Sequence, residues 1–142
     1  MNYKSFIDAQ DHLHKNVGRR RKLVAIGTHD YDTIKGPFFY DAVCPESISF
    51  KPSNQETVIN GHEIIAFYAK DRNMKEFTDI IRDSEIYPVI TDSNKNILSL
   101  PPLINGDHSK IKLSTKNVFI EMTATDLTKA KIALNTFISM FS

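Results

Sequence analysis

The chain has 142 residues, of which 41% are hydrophobic, and this is enough for one compact core but short for two independent ones. Its 18 Lys and Arg residues against 17 Asp and Glu residues give a formal net charge of +1, which excludes nucleic-acid binding by a large overall positive charge. The single cysteine, Cys44, excludes an internal disulfide and a CxxC zinc pair, and we expect it to be a buried thiol. We therefore expect one domain, residues 1–142, with any RNA contact confined to a local patch.

No apolar run approaches the roughly 20 residues that span a bilayer, and the first ten residues lack the apolar core of a signal peptide. We expect a cytoplasmic protein without membrane contact. The chain also begins within a predicted helix and stops on another, which is the pattern of a domain excised from a larger protein.

Four elements are predicted in the first half of the chain. Helical spacing predicts a first helix that opens at Ser5 and closes at Gly18. The apolar run 23–27 predicts a strand covered on both faces, followed by a polar stretch over 28–32. Two further strands are predicted at 38–43 and 47–50.

Asn60 with Glu63 predicts a capping box for a helix, and a second short helix is predicted at 74–82. Strands at 87–92 and 97–100 flank a polar turn and predict a hairpin, after which the chain breaks at two prolines. Another strand is predicted at 118–123, and Asp126 caps a last helix with an apolar stripe. These elements predict an α/β fold of the α+β type, in which helices at both ends of the chain pack on a mixed, mostly antiparallel sheet.

Two polar clusters are weak candidates for chemistry. Asp107, His108 and Ser109 are adjacent in sequence, whereas a catalytic triad needs groups brought together from separate elements, so we expect a polar turn or a contact to the substrate backbone. The segment 29–32 offers one imidazole and two carboxylates but no partner motif, so no metal site is predicted.

Side-chain alternation along the strand 118–123 is more informative. Val118, Ile120 and Met122 share one face, which we expect to face the core. Phe119, Glu121 and Thr123 share the other, and an aromatic ring, a carboxylate and a hydroxyl are the lining that a small polar aromatic ligand needs. From alternation alone, Glu121 is equally well explained as a solvated carboxylate.

The only concentrated basic run lies between the first helix and the first strand: Arg19, Arg20, Arg21 and Lys22. Two interpretations remain open for this run. It is either a clamp for RNA phosphates or a solvated junction that pairs with the rest of a larger protein.

Three long strings closely resemble the editing domain of archaeal and eukaryotic phenylalanyl-tRNA synthetase β subunits: GRRRKLVAIGTHDYDTIKGPFFY at 18–40, YPVITDSNKNILSLPPLINGDHSKI at 87–111 and TKNVFIEMTATDLTKAKIALNTFISMFS at 115–142. The resemblance covers nearly the whole chain and is weakest at 55–84. It implies a hydrolytic pocket that clears tyrosine wrongly attached to the phenylalanine tRNA, because a pocket shaped for phenylalanine cannot strongly reject an analogue that merely adds a hydroxyl.

The resemblance also implies partners and cofactors. The parent enzyme of this family is an α2β2 ligase that charges tRNA(Phe) with phenylalanine, using ATP and Mg²⁺ at a synthetic site in the α subunit. The implied partners are therefore the acceptor end of tRNA(Phe) carrying tyrosine, the remainder of the β subunit and the α subunit. No cofactor and no metal are expected for this domain itself.

The family's editing positions fall on Ile90, Ser99, Glu121 and Thr123, where Glu121 replaces the Asp of archaeal relatives. Glu121, Thr123 and Ser99 are the implied catalytic residues. Together with Ile90 they are also the implied substrate contacts, with Asn105 and His108 as weaker candidates for the aminoacyl ester or the terminal adenosine. Strand alternation adds Phe119 to the predicted substrate contacts.

The implied mechanism is ester hydrolysis without an enzyme nucleophile, in which the pocket orients the ester and a water and stabilises the oxyanion. Two alternatives remain: a non-catalytic module for tRNA docking or subunit assembly, and a free-standing deacylase. An isolated domain is expected to be weakly active, because most phosphate contacts would come from the rest of the synthetase.

Overall fold

Three antiparallel sheets and four α-helices make up the part of the chain that the computed structural model describes, residues 2–141. The helices are α1 Tyr3–Lys15, α2 Gly61–Tyr68, α3 Lys75–Ile81 and α4 Leu127–Phe141. The strands are β1 Val24–Asp30, β2 Phe39–Val43, β3 Ser49–Phe50, β4 Ile59–Asn60, β5 Tyr87–Thr91, β6 Ile97–Leu100, β7 Ile104–Asn105 and β8 Val118–Ala124. Two 3₁₀ turns lie at Tyr31–Thr33 and Pro45–Ser47.

The first and last helices pack on a two-stranded sheet in which β1 pairs with β8. One face of this sheet carries Val24 and Ile26, which join a core formed with both helices. Phe6 of α1 lies 4.9 Å from Phe137 of α4 between ring centroids. Burial of these apolar faces holds the two ends of the described chain together.

The middle of the chain forms a second sheet in the order β2-β5-β6-β7. Its own core contains Val89 and Leu100 from the sheet together with Ile64 and Tyr68 from α2 and Ile81 from α3. The domain therefore has two hydrophobic cores, one on the outer side of each sheet. The inner faces of the two sheets meet where the Ser99 hydroxyl bonds to Glu121.

The predicted fold class is confirmed, since the chain is a mixed α+β domain with antiparallel sheets and with helices at both ends packed on one of them. The capping box between Asn60 and Glu63 is confirmed as well. Asp126 caps α4 by accepting the Lys129 N–H at 3.0 Å. These signals are local, so they do not depend on tertiary packing.

Several element boundaries differ from the prediction, and those of α1 and β1 bear on the site. Helix α1 begins at Tyr3, not Ser5, because the Asn2 side chain accepts the Lys4 N–H and so supplies the N-cap. Strand β1 continues through Thr28, His29 and Asp30, which were predicted to lie in a polar stretch outside the strand. All three are buried, and their side chains find hydrogen-bond partners, which lowers the cost of burying them.

Two expectations about burial are wrong. Cys44 is exposed, because it lies in the turn before a 3₁₀ helix and not in a strand. Val118, assigned to the core face of its strand, is 38% exposed, because it is the first residue of β8. Among residues 2–141, no helix is both long enough and apolar enough to cross a membrane.

Candidate functional site

A cavity of about 220 Å³ opens between the inner faces of the two sheets. Its walls come from β1, β8, β6 and β7, from the two prolines after β6 and from α1. Its lining includes Gln10, His14, Arg21, Gly27, Ser99, Asn105, Glu121 and Thr123. Polar and apolar groups alternate around this cavity, as they do in sites for small amphipathic ligands.

Strand register places Glu121 and Thr123 in this wall. Glu121 pairs with Gly27, and Thr123 pairs with Ala25, so the four residues share the inner face of the β1–β8 sheet. The predicted alternation along β8 is thus present in the structure, and Ile120 and Met122 pack on the core at the other face.

Gly27 leaves the space that the Glu121 side chain occupies. A Cβ atom on Gly27 would lie 2.0 Å from Glu121 Oε1 and 2.6 Å from Cδ, so any larger residue forces the carboxylate to move. The absence of a side chain at Gly27 therefore determines where the carboxylate lies.

Two further groups contact the Glu121 carboxylate. Ser99 donates its hydroxyl to Oε1 at 2.9 Å, and His29 Nε2 lies 3.6 Å from the same oxygen. The side chain of Glu121 is only 10% exposed, and within residues 2–141 its Oε2 has no hydrogen-bond partner. The carboxylate therefore retains one buried acceptor that the protein does not use.

His29 connects Glu121 to Ser109 inside the protein. Its Nδ1 lies 2.7 Å from the Ser109 hydroxyl, and both side chains are fully buried. The tautomer with the proton on Nε2 directs an N–H at the carboxylate while Nδ1 accepts from Ser109. Because Ser109 has no exposed surface, this chain of groups positions Glu121 and offers no nucleophile to a ligand.

The other wall comes from the four-stranded sheet. Ser99 pairs with Ile90 on one side and with Asn105 on the other, so these three side chains lie on one face. The Asn105 amide also donates to the Thr28 carbonyl at 3.4 Å, which joins the two sheets. Ser99 and Asn105 line the cavity, whereas Ile90 is buried beside it.

A second group of polar side chains, His14 and Arg21, lies at another part of the cavity wall. His14 Nε2 accepts the Ile26 N–H at 2.8 Å, which only a ring without a proton on Nε2 can do. Burial, reinforced by the neighbouring Arg21 charge, lowers the His14 pKa to about 3. His14 is therefore neutral at physiological pH and carries its proton on Nδ1.

The four basic residues predicted to contact RNA do not form one surface. Arg21 turns inward, donates to the carbonyls of Pro102 and Leu103 at 3.1 Å, and lies 4.1 Å from the centre of the Phe77 ring. This combination fixes the turn after β6 to the start of β1.

The other three basic residues lie on the surface. Arg20 pairs with Glu76 at 3.3 Å, while Arg19 and Lys22 are exposed. Arg19, Arg20 and Arg21 all have left-handed backbone angles, with φ of 45°, 54° and 65°. Because of these backbone angles, successive side chains point in different directions. Phosphate binding by the exposed residues Arg19, Arg20 and Lys22 stays a prediction.

Three of the predicted substrate contacts lie outside the cavity lining: Ile90, which is buried beside it, Phe119 and His108. Phe119 stacks on Phe38 with ring centroids 4.2 Å apart, beyond the His29 end of the inner face. His108 is exposed and contacts the Thr33 carbonyl at 2.9 Å, in a separate cleft that Lys51 and Lys95 also line. Ser99, Asn105, Glu121 and Thr123 are the predicted residues that the fold brings to one cavity.

Gly27, His29, His14 and Arg21 are the site residues that the sequence did not single out for their roles. An isolated glycine within a strand pattern signals a close approach, so Gly27 carried a usable signal. The two histidines gave none, because their partners are distant in sequence. Across residues 2–141, no three His, Cys, Asp or Glu side chains cluster as a metal site requires.

The fold and cavity together define a class: a mixed α+β domain with a cavity between two sheets that contains a buried carboxylate. Comparison of the sequence and fold with known proteins shows which family the chain belongs to. The B3/4 domain family matches residues 1–142. The chain is 59% identical over 140 residues to the phenylalanine–tRNA ligase β subunit of Drosophila melanogaster and 58% identical over 140 residues to the cytoplasmic β subunit of Arabidopsis thaliana.

The fold also matches the crystal structure of an N-terminal fragment of the phenylalanyl-tRNA synthetase β subunit from Pyrococcus horikoshii, with a TM-score of 0.88 and 34% identity over 98% of this chain and 40% of that one. The chain belongs to the B3/4 domain family, as found in phenylalanyl-tRNA synthetase β subunits. The alignments include 99% of this chain but only 24% of the Drosophila protein and 23% of the Arabidopsis one, so the chain spans about a quarter of the length of those relatives.

Proposed function

We propose that this domain hydrolyses the ester that joins a wrongly attached tyrosine to tRNA(Phe). The observation that carries the proposal is the Glu121 carboxylate, held in a small cavity by Ser99 and beside His29, with one oxygen unpartnered among the described residues. Membership of a family found in a tRNA ligase subunit supports an aminoacyl-tRNA as the ligand.

Glu121 provides the basis for selecting tyrosine. A carboxylate accepts a hydrogen bond from the tyrosine phenol, whereas phenylalanine leaves the same buried oxygen without a partner. Leaving a buried group unsatisfied costs about 1–3 kcal/mol, which corresponds to roughly tenfold to hundredfold discrimination. A site that rewards the hydroxyl supplies the second selection step that a phenylalanine pocket cannot make alone.

The reaction itself needs a water and no covalent enzyme intermediate. Water adds to the ester carbonyl, the bond from that carbon to the ribose oxygen breaks, and free tyrosine and the tRNA hydroxyl are released. Thr123 and Asn105 line the cavity and supply polar hydrogens for orienting the ester and stabilising the oxyanion. Ser99 acts by holding Glu121 in place.

The wider assignment follows from the same proposal. The domain works within the β subunit of a cytoplasmic synthetase that pairs with an α subunit and ligates phenylalanine to tRNA(Phe) with ATP and Mg²⁺. Those cofactors serve the synthetic site, and ester hydrolysis in this cavity uses none.

The test compares Glu121→Ala and Glu121→Gln in the full synthetase. We expect Glu121→Ala to lower the rate of tyrosyl-tRNA(Phe) hydrolysis at least tenfold while phenylalanine charging is unchanged. Glu121→Gln keeps the side-chain volume but loses the charge, so its hydrolysis rate should lie between those of the parent and Glu121→Ala. Deacylation of purified tyrosyl-tRNA(Phe) and charging with phenylalanine are the two measurements.

Glu56→Gln is the matched control, because it removes an exposed carboxylate in the loop before β4. It should leave both rates unchanged. If both Glu121 variants hydrolyse tyrosyl-tRNA(Phe) at the parent rate, the domain is better described as a non-catalytic module for tRNA docking or subunit assembly.

A further inference from the structure

A second groove of about 200 Å³ adjoins the cavity at its outer edge. The two spaces share five wall residues: Arg21, Ala25, Pro101, Pro102 and Thr123. Beyond them the groove is lined by Tyr40, Pro88, Ile80, Ile81, Lys22 and Thr125. A ligand whose polar end lies beside Glu121 and whose other end reaches Thr123 is therefore next to this groove.

Tyr40 presents an aromatic ring in the groove. It is 66% exposed, and its strand partner is Ile90, so it lies on the same face of the four-stranded sheet as Ser99. Ile80 and Pro88 give the groove an apolar lining beside this ring. An exposed ring next to apolar surface is the arrangement with which proteins stack a nucleic-acid base.

Lys22 adds a positive charge at the same groove. Its side chain is exposed, and the left-handed turn that precedes it also leaves Arg19 exposed. Arg21 lies in the shared wall between groove and cavity. An aromatic surface with cations beside it and a polar cavity next to it suits a nucleoside with a phosphate better than an uncharged apolar segment.

We propose that this groove binds the terminal nucleoside of the tRNA acceptor end, with the base stacked on Tyr40 and the adjoining phosphate beside Lys22. The proposal rests on the proposed function, because the tyrosine then occupies the Glu121 cavity and the ester lies near Thr123. It places the nucleoside at the groove beside Thr123, away from the cleft of His108.

The test uses the intact synthetase and tyrosyl-tRNA(Phe). Tyr40→Ala should lower kcat/KM for deacylation about tenfold, the usual effect of losing one base-stacking ring. Tyr40→Phe should restore the parent value, because stacking needs only the ring. Phe39→Ala is the matched control: Phe39 is also exposed, at 52%, but lies on the opposite face of the same strand, so this variant should keep the parent value.

A second measurement identifies the group that Tyr40 contacts. The parent enzyme should hydrolyse 2′(3′)-O-tyrosyl adenosine about tenfold faster than the tyrosyl ester of a ribose that lacks the base, and Tyr40→Ala should remove this preference. Lys22→Ala should remove any gain from a 5′-phosphate on the adenosine ester. Lys15→Ala, at the exposed end of α1, should retain it.

The outcomes separate the two proposals. If Tyr40→Ala deacylates tyrosyl-tRNA(Phe) like the parent, or slows both small esters equally, the nucleoside assignment is overturned while the function stands. In that case the groove is a contact for another part of the synthetase. If the parent enzyme and the Glu121 variants do not differ on tyrosyl-tRNA(Phe), the function fails and the nucleoside assignment fails with it.

Discussion

At the residue scale, the position of the Glu121 carboxylate depends on the lack of a side chain at Gly27. Glu121 lies over Gly27, and a Cβ atom there would come within 2.0 Å of Oε1. Because the obstruction is the end of a flexible side chain and not backbone, the protein can accommodate a methyl group by moving the carboxylate. We therefore expect the fold to tolerate such a change and the site not to.

Gly27→Ala tests this separation of fold from site. We expect the free energy of unfolding to fall by no more than about 1–3 kcal/mol, the cost of unpairing buried polar groups, because alanine itself suits a strand interior at least as well as glycine. Tyrosyl-tRNA(Phe) hydrolysis should fall at least tenfold, because the carboxylate is displaced from Ser99 and His29. Urea unfolding of the domain and deacylation by the full synthetase measure the two effects.

Gly36→Ala is the control, since its added Cβ would meet its nearest neighbour at an ordinary 3.5 Å. Both properties should be unchanged in that variant. Full deacylation activity in Gly27→Ala would show that the carboxylate does not need its present position.

The sequence was most informative about residues whose environment follows from strand alternation. Glu121 and Thr123 were expected on one face, and the register with β1 places them in the cavity. The role of His29 was not predictable, because its partners Ser109 and Glu121 are joined to it only by the tertiary fold. Arg21 was grouped with its basic neighbours because the sequence gives no sign of the left-handed turn that separates their side chains. Glycine usually indicates such a turn, but here arginines occupy it.

At the scale of elements, α1 is attached to β1 by a buried histidine as well as by apolar packing. His14 accepts the Ile26 N–H, and the Gln10 amide donates to the Ile26 carbonyl at 2.8 Å. Together these two side chains satisfy both backbone groups of one residue in β1. The attachment requires neutral His14, so it is sensitive to acid.

The sign of this dependence follows from the lowered pKa of His14, about 3 in the folded protein against about 6.5 when unfolded. Its contribution is fully present above pH 6.5 and is lost as the pH falls, because the unfolded chain takes up the proton first. We expect His14 to lower the free energy of unfolding by roughly 2 kcal/mol between pH 7 and pH 5. Urea unfolding at both pH values measures this loss.

His14→Gln should be less stable than the parent at pH 7 but should lose less stability on acidification. His12→Gln, on the exposed side of the same helix, should keep the parent's full pH dependence. Equal acid sensitivity in the parent and His14→Gln would place the titrating group elsewhere.

Among elements, most helices and strands were predicted from local signals, whereas the pairings and extensions set by distant residues were not. The β5–β6 hairpin and the cap of α2 follow from residues within a few positions of each other. The extension of β1 to Asp30 comes from its pairing with Val118 of β8, and the Ser109 carbonyl accepts the Asp30 N–H at 2.8 Å. Thr115 likewise donates to the Asp30 carboxylate from far along the chain.

At the scale of the whole molecule, a net charge of +1 means that the proposed tRNA binding has to come from local surfaces. A variant with glutamine at Arg19, Arg20 and Lys22 should bind tRNA less tightly. The loss should be equal for tyrosyl-tRNA(Phe) and phenylalanyl-tRNA(Phe), because phosphate contacts position a ligand without selecting it. The dependence of affinity on salt should become shallower. Filter binding by the full synthetase at several salt concentrations measures both effects.

Arg21 is left intact in that variant, because its contacts to Pro102, Leu103 and Phe77 are structural. Neutralising Lys4, Lys15 and Lys131 removes the same charge from the surface of α1 and α4 and should leave the salt dependence unchanged. A change in the preference for tyrosine would instead place the basic turn within the selective part of the site.

The pairing of β1 with β8 joins Val24 to Ala124 and Asp30 to Val118, whereas β5 and β6 meet across a turn of a few residues. Closing a long loop costs more chain entropy than closing a hairpin, and this cost precedes any gain from the contacts made. Glu121 and Gly27 lie on β8 and β1, whose pairing closes the long loop, whereas Ser99 lies on the β5–β6 hairpin. In folding, the wall that carries the carboxylate therefore bears the larger entropic barrier, and a nascent chain that has not yet emerged beyond β7 has only one side of its cavity.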